Sequence, residues 1–258
     1  MSKVEPLKTA QYGQLPVAIY RSNQELGQAA ALDAREVIQR AIAGKGEANI
    51  ILATGNSQLT FLNALRSFED IDWSRVNVFH MDEYVGIDPT HRASFPLFLR
   101  QHFISFVHPR SFHPIPSQPE DLEKACRDYE ALLRKYPADL VALGWGENGH
   151  LAFNDPPYAD FDDPVWVKVV RLAEASRRQQ VGEGHFDSLD EVPTHAITLT
   201  IPALLAARVV LCIVPEARKA EAVRACLTEP VSEERPGSIL RQVNHARLYL
   251  DQDSASQL

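Results

Sequence analysis

Short apolar runs of strand length alternate along this chain with amphipathic stretches of helix length. Runs at 15–20, 50–53, 76–79, 140–143, 165–170, 196–200, 209–214 and 247–250 read as strands. The first predicted helix opens on the capping box Ser22-Asn23-Gln24-Glu25, continues through Leu26, Ala30, Ala34, Val37 and Ala41 at helical spacing, and stops at Gly44 and Gly46. Further helices are expected over 58–66, around 95–106, and over 120–135 and 216–227. Such alternation marks βαβ units, so the predicted fold class is α/β, with a single doubly wound, mainly parallel sheet and helices on both faces. No repeat or long linker divides the chain, and one domain over 1–258 is expected. Residues 155–193 carry only one persuasive strand among Pro, Gly and charged positions, and they read as a lid or insertion.

Composition narrows the functional classes. Hydrophobic residues make up 45% of 258, enough for a substantial core. A formal net charge of −8 argues against a nucleic-acid partner, since phosphate-backbone binding needs clustered Lys and Arg. Cys126, Cys212 and Cys226 are odd in number and widely spaced, which suggests buried thiols and neither a disulfide framework nor a zinc site. With no signal-like start and no apolar run near the ~18 to 20 residues needed to span a bilayer, a soluble cytoplasmic protein without a membrane partner is expected.

Three loops, each placed directly after a predicted strand, hold the candidate chemistry. Thr54, Gly55, Asn56 and Ser57 form a small polar turn before a helix, where backbone N–H groups can meet a phosphate; many such turns bind nothing. His80-Met81-Asp82-Glu83-Tyr84 supplies a histidine and two carboxylates for general acid/base work or for a metal. Extended-chain alternation puts His80 and Asp82 on one side and Glu83 on the other. In the bland reading, Glu83 binds an arginine and His80 packs internally. The third loop, Gly144-Trp145-Gly146-Glu147-Asn148-Gly149-His150, runs on to Asp155 and Pro156-Pro157. Its glycines match a dinucleotide fingerprint, and the expected sheet is Rossmann-like, but the prolines leave too little room for the required helix, so no nicotinamide or flavin cofactor is expected. The loop instead delivers His150 and Asp155 to the sheet's edge.

Met81-Asp82-Glu83-Tyr84 together with Gly149-His150-Leu151-Ala152-Phe153-Asn154-Asp155-Pro156 resembles glucosamine-6-phosphate deaminase, in the wider group that includes 6-phosphogluconolactonase. The lactonase branch is less similar, because its histidine loop usually continues Thr-Ala-Ser. The resemblance implies a metal-independent, cofactor-free isomerisation of an amino-sugar phosphate with loss of ammonia, giving fructose 6-phosphate. It assigns ring opening to His150, proton transfer between C2 and C1 to Asp82, and orientation of the histidine to Asp155 and Asn148. It also gives phosphate binding to the 54–57 loop and Lys219. Asp155 stands where glutamate is common, and Asn148 where some members carry aspartate. Gly184 stands where the family has a phosphate-binding arginine, with Arg177, Arg178 or His185 as substitutes. His91 is the best of the other histidines for a site role, and Trp145 and Tyr84 are candidate walls. Alternatives left open are a lactonase, an isomerase of another hexosamine phosphate such as galactosamine 6-phosphate, and a non-catalytic sugar-phosphate sensor; the expected partner is a small sugar phosphate, with homo-oligomerisation undecided.

Overall fold

In a computed structural model, residues 4–258 are described. Eight strands form one sheet in the order β1-β2-β11-β10-β7-β3-β4-β6. They are β1 (Lys8–Tyr12), β2 (Leu15–Tyr20), β3 (Ala48–Leu52), β4 (Val76–His80), β6 (Ser111–His113), β7 (Leu140–Leu143), β10 (Val209–Val214) and β11 (Ala246–Asp251). Every pairing is parallel except the β1–β2 hairpin. Strands buried on both sides read as continuous apolar runs, which is why β3, β7 and β10 were readable. Alternate residues serve two cores: Ile51, Val141, Leu143 and Cys212 face one side, and Ile50, Leu52, Leu140 and Leu211 the other.

Helix α1 (Asn23–Lys45) begins as its cap predicts, with Ser22 Oγ accepting from Glu25 N at 3.2 Å. The Glu25 carboxylate accepts from Arg21 N, one residue before the cap. Gly46, at φ 85°, ends the helix in the left-handed conformation. Helix α2 (Leu59–Arg66) lies against α1 at Gly27, where a Cβ would stand 2.6–2.8 Å from Thr60 and Phe61. The expected helix at 95–106 is present as α3 (Phe95–Leu99), a π-helical stretch at Arg100–Ile104, and α4 (Ser105–Val107). On the opposite face lie α5 (Leu122–Lys135), α7 (Ile201–Leu205) and α8 (Ala220–Thr228). No helix among the described residues is long and apolar enough to cross a membrane.

The expectation of one sheet needs an addition. Two of the predicted strands, β8 (Val167–Arg171) and β9 (His195–Leu199), join β5 (Asp82–Tyr84) in a separate antiparallel sheet, β5-β9-β8. Residues 155–193 contain the one expected strand, β8, and in addition a helix, α6 (Glu174–Gly182), that was not expected.

The chain crosses outward from β3 to β4 and β6, and in the other direction from β7 to β10 and β11. The strand order therefore reverses between the adjacent strands β3 and β7. In open α/β sheets, the crevice at the carboxyl ends beside such a reversal is where ligands bind.

Candidate active site

A cleft with an enclosed volume of about 100 Å³, partly open to solvent, lies at that reversal. The turn after β3 gives it Thr54, Gly55, Ser57 and Gln58; the end of β4 and start of β5 give Met81 and Asp82; the turn after β7 gives Gly144, Trp145, Gly146 and His150. Lys219 enters after β10, and α6 with its following turn supplies Gln179, Gln180, Glu183 and His185.

Packing explains the glycines after β7. A Cβ on Gly144 would meet the Gln58 amide at 2.9 Å; one on Gly149 would meet Cys226 Sγ at 2.6 Å. At Gly146 the Cβ would stand 2.1–2.4 Å from three atoms of the His150 ring. The imidazole thus lies directly on the backbone of Gly146, and no helix follows. Asn154, fully buried, donates to the carbonyls of Leu151 and Leu199 at 2.7 and 2.8 Å and pins the loop to β9.

His150 Nδ1 is 2.7 Å from Asn148 Oδ1 and 3.0 Å from Asp155 Oδ1. Asn148 Nδ2 donates to the same Asp155 oxygen at 2.8 Å, and Ser176 Oγ donates to it at 2.7 Å. Burial pushes the Asp155 carboxyl up, but the imidazole's charge and hydrogen bonds from His150, Ser176 and Asn148 outweigh it and hold the group down at about 2. Asp155 is therefore a permanent anion behind the imidazole, whose Nε2 is left without a hydrogen bond among the described residues.

Asp82 is 8% exposed, and no donor among the described residues bonds its carboxylate. Burial raises it to about 7, against the opposing pull of His150. Its neighbour Glu83 points away from the cleft, accepting from Ser94 Oγ at 2.9 Å and Tyr84 N at 2.8 Å. The Asp82/Glu83 alternation is as expected, but Glu83 binds no arginine. His80 packs internally, as the bland reading has it: it is fully buried, does not line the cleft, and its Nε2 accepts from Ile115 N at 2.7 Å.

At the other end, Gly55 takes φ 98°, open to glycine and strained for other residues, and leads through a short 3-10 turn into α2. Asn56 is exposed and does not line the cleft. Lys219 is 3% exposed, and burial followed by the neighbouring Arg218 charge lowers it to about 8. Its turn is held by Glu216 at φ 83°, whose N–H donates to both oxygens of Asp251 at 3.1 and 3.2 Å. Arg218 bonds Glu216 at 2.6 Å and Glu183 at 2.7 Å.

Other predicted roles fall out differently. Arg177 is used internally, donating to the carbonyls of Leu189 and Val192, and Arg178 pairs with Glu174 away from the cleft. His185 does line the cleft, 3.3 Å from Glu183. Trp145 walls it, whereas Tyr84 is buried in an aromatic cluster with Phe95, Phe153 and Phe186. His91 stacks on Phe186 outside the lining. Contributors missed by the sequence reading are Gln58, Ser176, Gln179, Gln180, Glu183, Asp251, and Arg92, which lines the cleft and bonds the His185 carbonyl at 3.1 Å. None belongs to an apolar period, and each is recognisable only once distant segments meet. Among the described residues, no group of three or more His, Cys, Asp or Glu is arranged to hold a metal.

Comparison with known proteins bears on this geometry. Residues 21–250 match the family described as glucosamine-6-phosphate isomerases/6-phosphogluconolactonase. The chain is similar to a glucosamine-6-phosphate deaminase of Exiguobacterium sibiricum, 36% identical over 208 residues that cover 80% of each chain. It is also similar to one from Bacillus cereus, 33% identical with 86% of this chain and 82% of that one covered. Among solved structures, a monomeric glucosamine-6-phosphate deaminase superposes with a TM-score of 0.86 at 28% identity, covering 94% of this chain and 99% of the other. A 6-phosphogluconolactonase from Trypanosoma brucei shares the fold, with a TM-score of 0.77 at 19% identity, 97% of this chain and 100% of that chain being covered.

Proposed function

Because the chain belongs to the family of glucosamine-6-phosphate isomerases and 6-phosphogluconolactonases, we propose that it isomerises glucosamine 6-phosphate and releases ammonia, leaving fructose 6-phosphate. The observation that carries this reading is that Asp82 and His150 line one cleft with unlike carboxylate chemistry at each: Asp82 is bonded by no described donor and raised to about 7, while Asp155, buried behind His150 and 3.0 Å from its Nδ1, is held at about 2. A C2-to-C1 proton transfer needs a group that gains and loses a proton near neutrality, and ring opening needs an oriented imidazole.

In this mechanism the phosphate sits on the 54–57 turn and Lys219, with Arg92 and His185 on the facing wall in place of an arginine at Gly184. His150 Nε2 exchanges the proton between the anomeric hydroxyl and the ring oxygen, opening the sugar. Asp155 and Asn148 hold the ring through Nδ1. Asp82, as a carboxylate, then takes the C2 proton while a proton passes from the substrate's ammonium group to O1, giving the enolamine, and Asp82 returns its proton to C1. Water adds to the resulting C2 iminium, and ammonia leaves.

The test is a substrate panel without added metal or cofactor: glucosamine 6-phosphate, galactosamine 6-phosphate and 6-phosphogluconolactone, followed by ammonia and by acid release. Ammonia from glucosamine 6-phosphate, with solvent deuterium entering C1 of the product in D2O, is the expected outcome. Acid release from the lactone alone would replace the reading with a lactonase, and binding without turnover would leave a sensor.

A further inference from the structure

We infer that Ser176 is a positioning residue of the proton relay, carried to it by α6. The hydroxyl is 3% exposed, donates to Asp155 Oδ1 at 2.7 Å and lies 3.4 Å from His150 Nδ1. Three donors therefore converge on Oδ1, from His150, Asn148 and Ser176, while Asp155 Oδ2 is buried without a partner. Three donors on one oxygen fix the plane of the carboxylate against the imidazole. A carboxylate bonded only by His150 and Asn148, residues of its own loop, could swing that plane about its Cβ–Cγ bond and loosen the contact with Nδ1. The serine reaches it from a different element and removes that freedom.

Helix spacing says why this serine is available. Ser176, Gln179 or Gln180, and Glu183 recur at three to four residues and so share one side of α6. The glutamines and Glu183 line the cleft, and Glu183 is bonded by Arg218 beside Lys219. The side of α6 that reaches the relay at Ser176 is thus tied, about two turns later, to the phosphate end of the cleft. The relay is built by two segments, the loop after β7 and α6.

The inference rests on the deaminase reading for its kinetic arm only. With glucosamine 6-phosphate, Ser176→Ala is expected to lower kcat about 10-fold with KM within about twofold, the size of one lost hydrogen bond to a charged group. Ser176→Thr, which keeps the hydroxyl, is expected to restore most of it. Independently of any turnover, the downfield Nδ1 proton resonance of His150 should move in the resting Ser176→Ala protein and return in Ser176→Thr. An unmoved resonance with unchanged kcat would overturn the proposal. So would a loss shared by kcat and KM that threonine fails to restore, because that pattern marks a merely structural serine. If wild type releases no ammonia, the deaminase reading fails while the resonance still decides the role of Ser176.

Discussion

Asp82, which lines the cleft, and Asp155, which lies behind the His150 that lines it, are both buried carboxylates, yet they are driven in opposite directions. Asp82 follows a sheet strand into β5 and meets no donor, so burial lifts it to about 7. Asp155 lies in the loop after β7, where His150, Ser176 and Asn148 outweigh the same burial and hold it at about 2. The lesson is that depth alone does not set the charge of a buried acid; the number of donors aimed at it does. Two residues of one type are thereby set apart, and the proposed mechanism uses one as a proton carrier and the other as a fixed anion.

The comparison breaks most severely where the relay touches backbone. Gly146→Ala places a methyl group 2.1–2.4 Å from the His150 ring. Displacing the imidazole should lower kcat by about 100-fold or more, measured as ammonia release, while circular dichroism shows the fold retained. A kcat within a few-fold of wild type would mean the ring is not held as described.

The two acids should also leave opposite marks on stability against pH. Asp155 sits below its ordinary value, so its contribution is fully present above about pH 4 and is lost as pH falls toward 2. That contribution is on the order of 2 kcal/mol, and Asp155→Asn should flatten that part of the acid-denaturation curve. Asp82 is raised, so its contribution is present below about pH 4 and is lost as pH rises through about 7. Asp82→Asn should therefore unfold at a higher temperature than wild type at pH 8, with the gap closing near pH 4. Equal pH dependence in both variants would remove the distinction between the two sites.

A smaller effect is expected at the rim. Arg92, paired with the exposed Asp187, lines the cleft without touching the relay. Arg92→Ala should raise KM for glucosamine 6-phosphate about 5-fold with kcat nearly unchanged, and the difference should shrink at high salt. An unchanged KM would confine phosphate binding to Lys219 and the 54–57 turn.

What the sequence disclosed follows from the same physics. β3, β7 and β10 are covered on both faces, so their apolar runs stood out, and the relay loop could be recognised because its glycines, His150 and Asp155 lie within a dozen residues. Helix α6 went unread because its inward positions are polar and carry no apolar period: Ser176 meets Asp155, and Gln179 and Gln180 line a polar cleft, with Glu183 following at the helix end. Strand β5 consists of Asp82, Glu83 and Tyr84, residues that read as a loop; their strand pairing with β9 is set by tertiary contact. Asp251 and Gln58 act on turns far away in sequence, across 35 and 155 residues, and no local pattern announces such partners.

The most direct measurement is ammonia release from glucosamine 6-phosphate in D2O by wild type, Asp82→Asn and His150→Gln, with the product examined for deuterium at C1. The account predicts release with C1 labelling by wild type and a loss of about 1,000-fold or more in both variants. For Asp82→Asn, labelling should vanish with turnover, since the amide cannot carry the proton. Undiminished release with C1 labelling by Asp82→Asn would contradict the account, because the proton would then travel by a route that does not use this carboxylate.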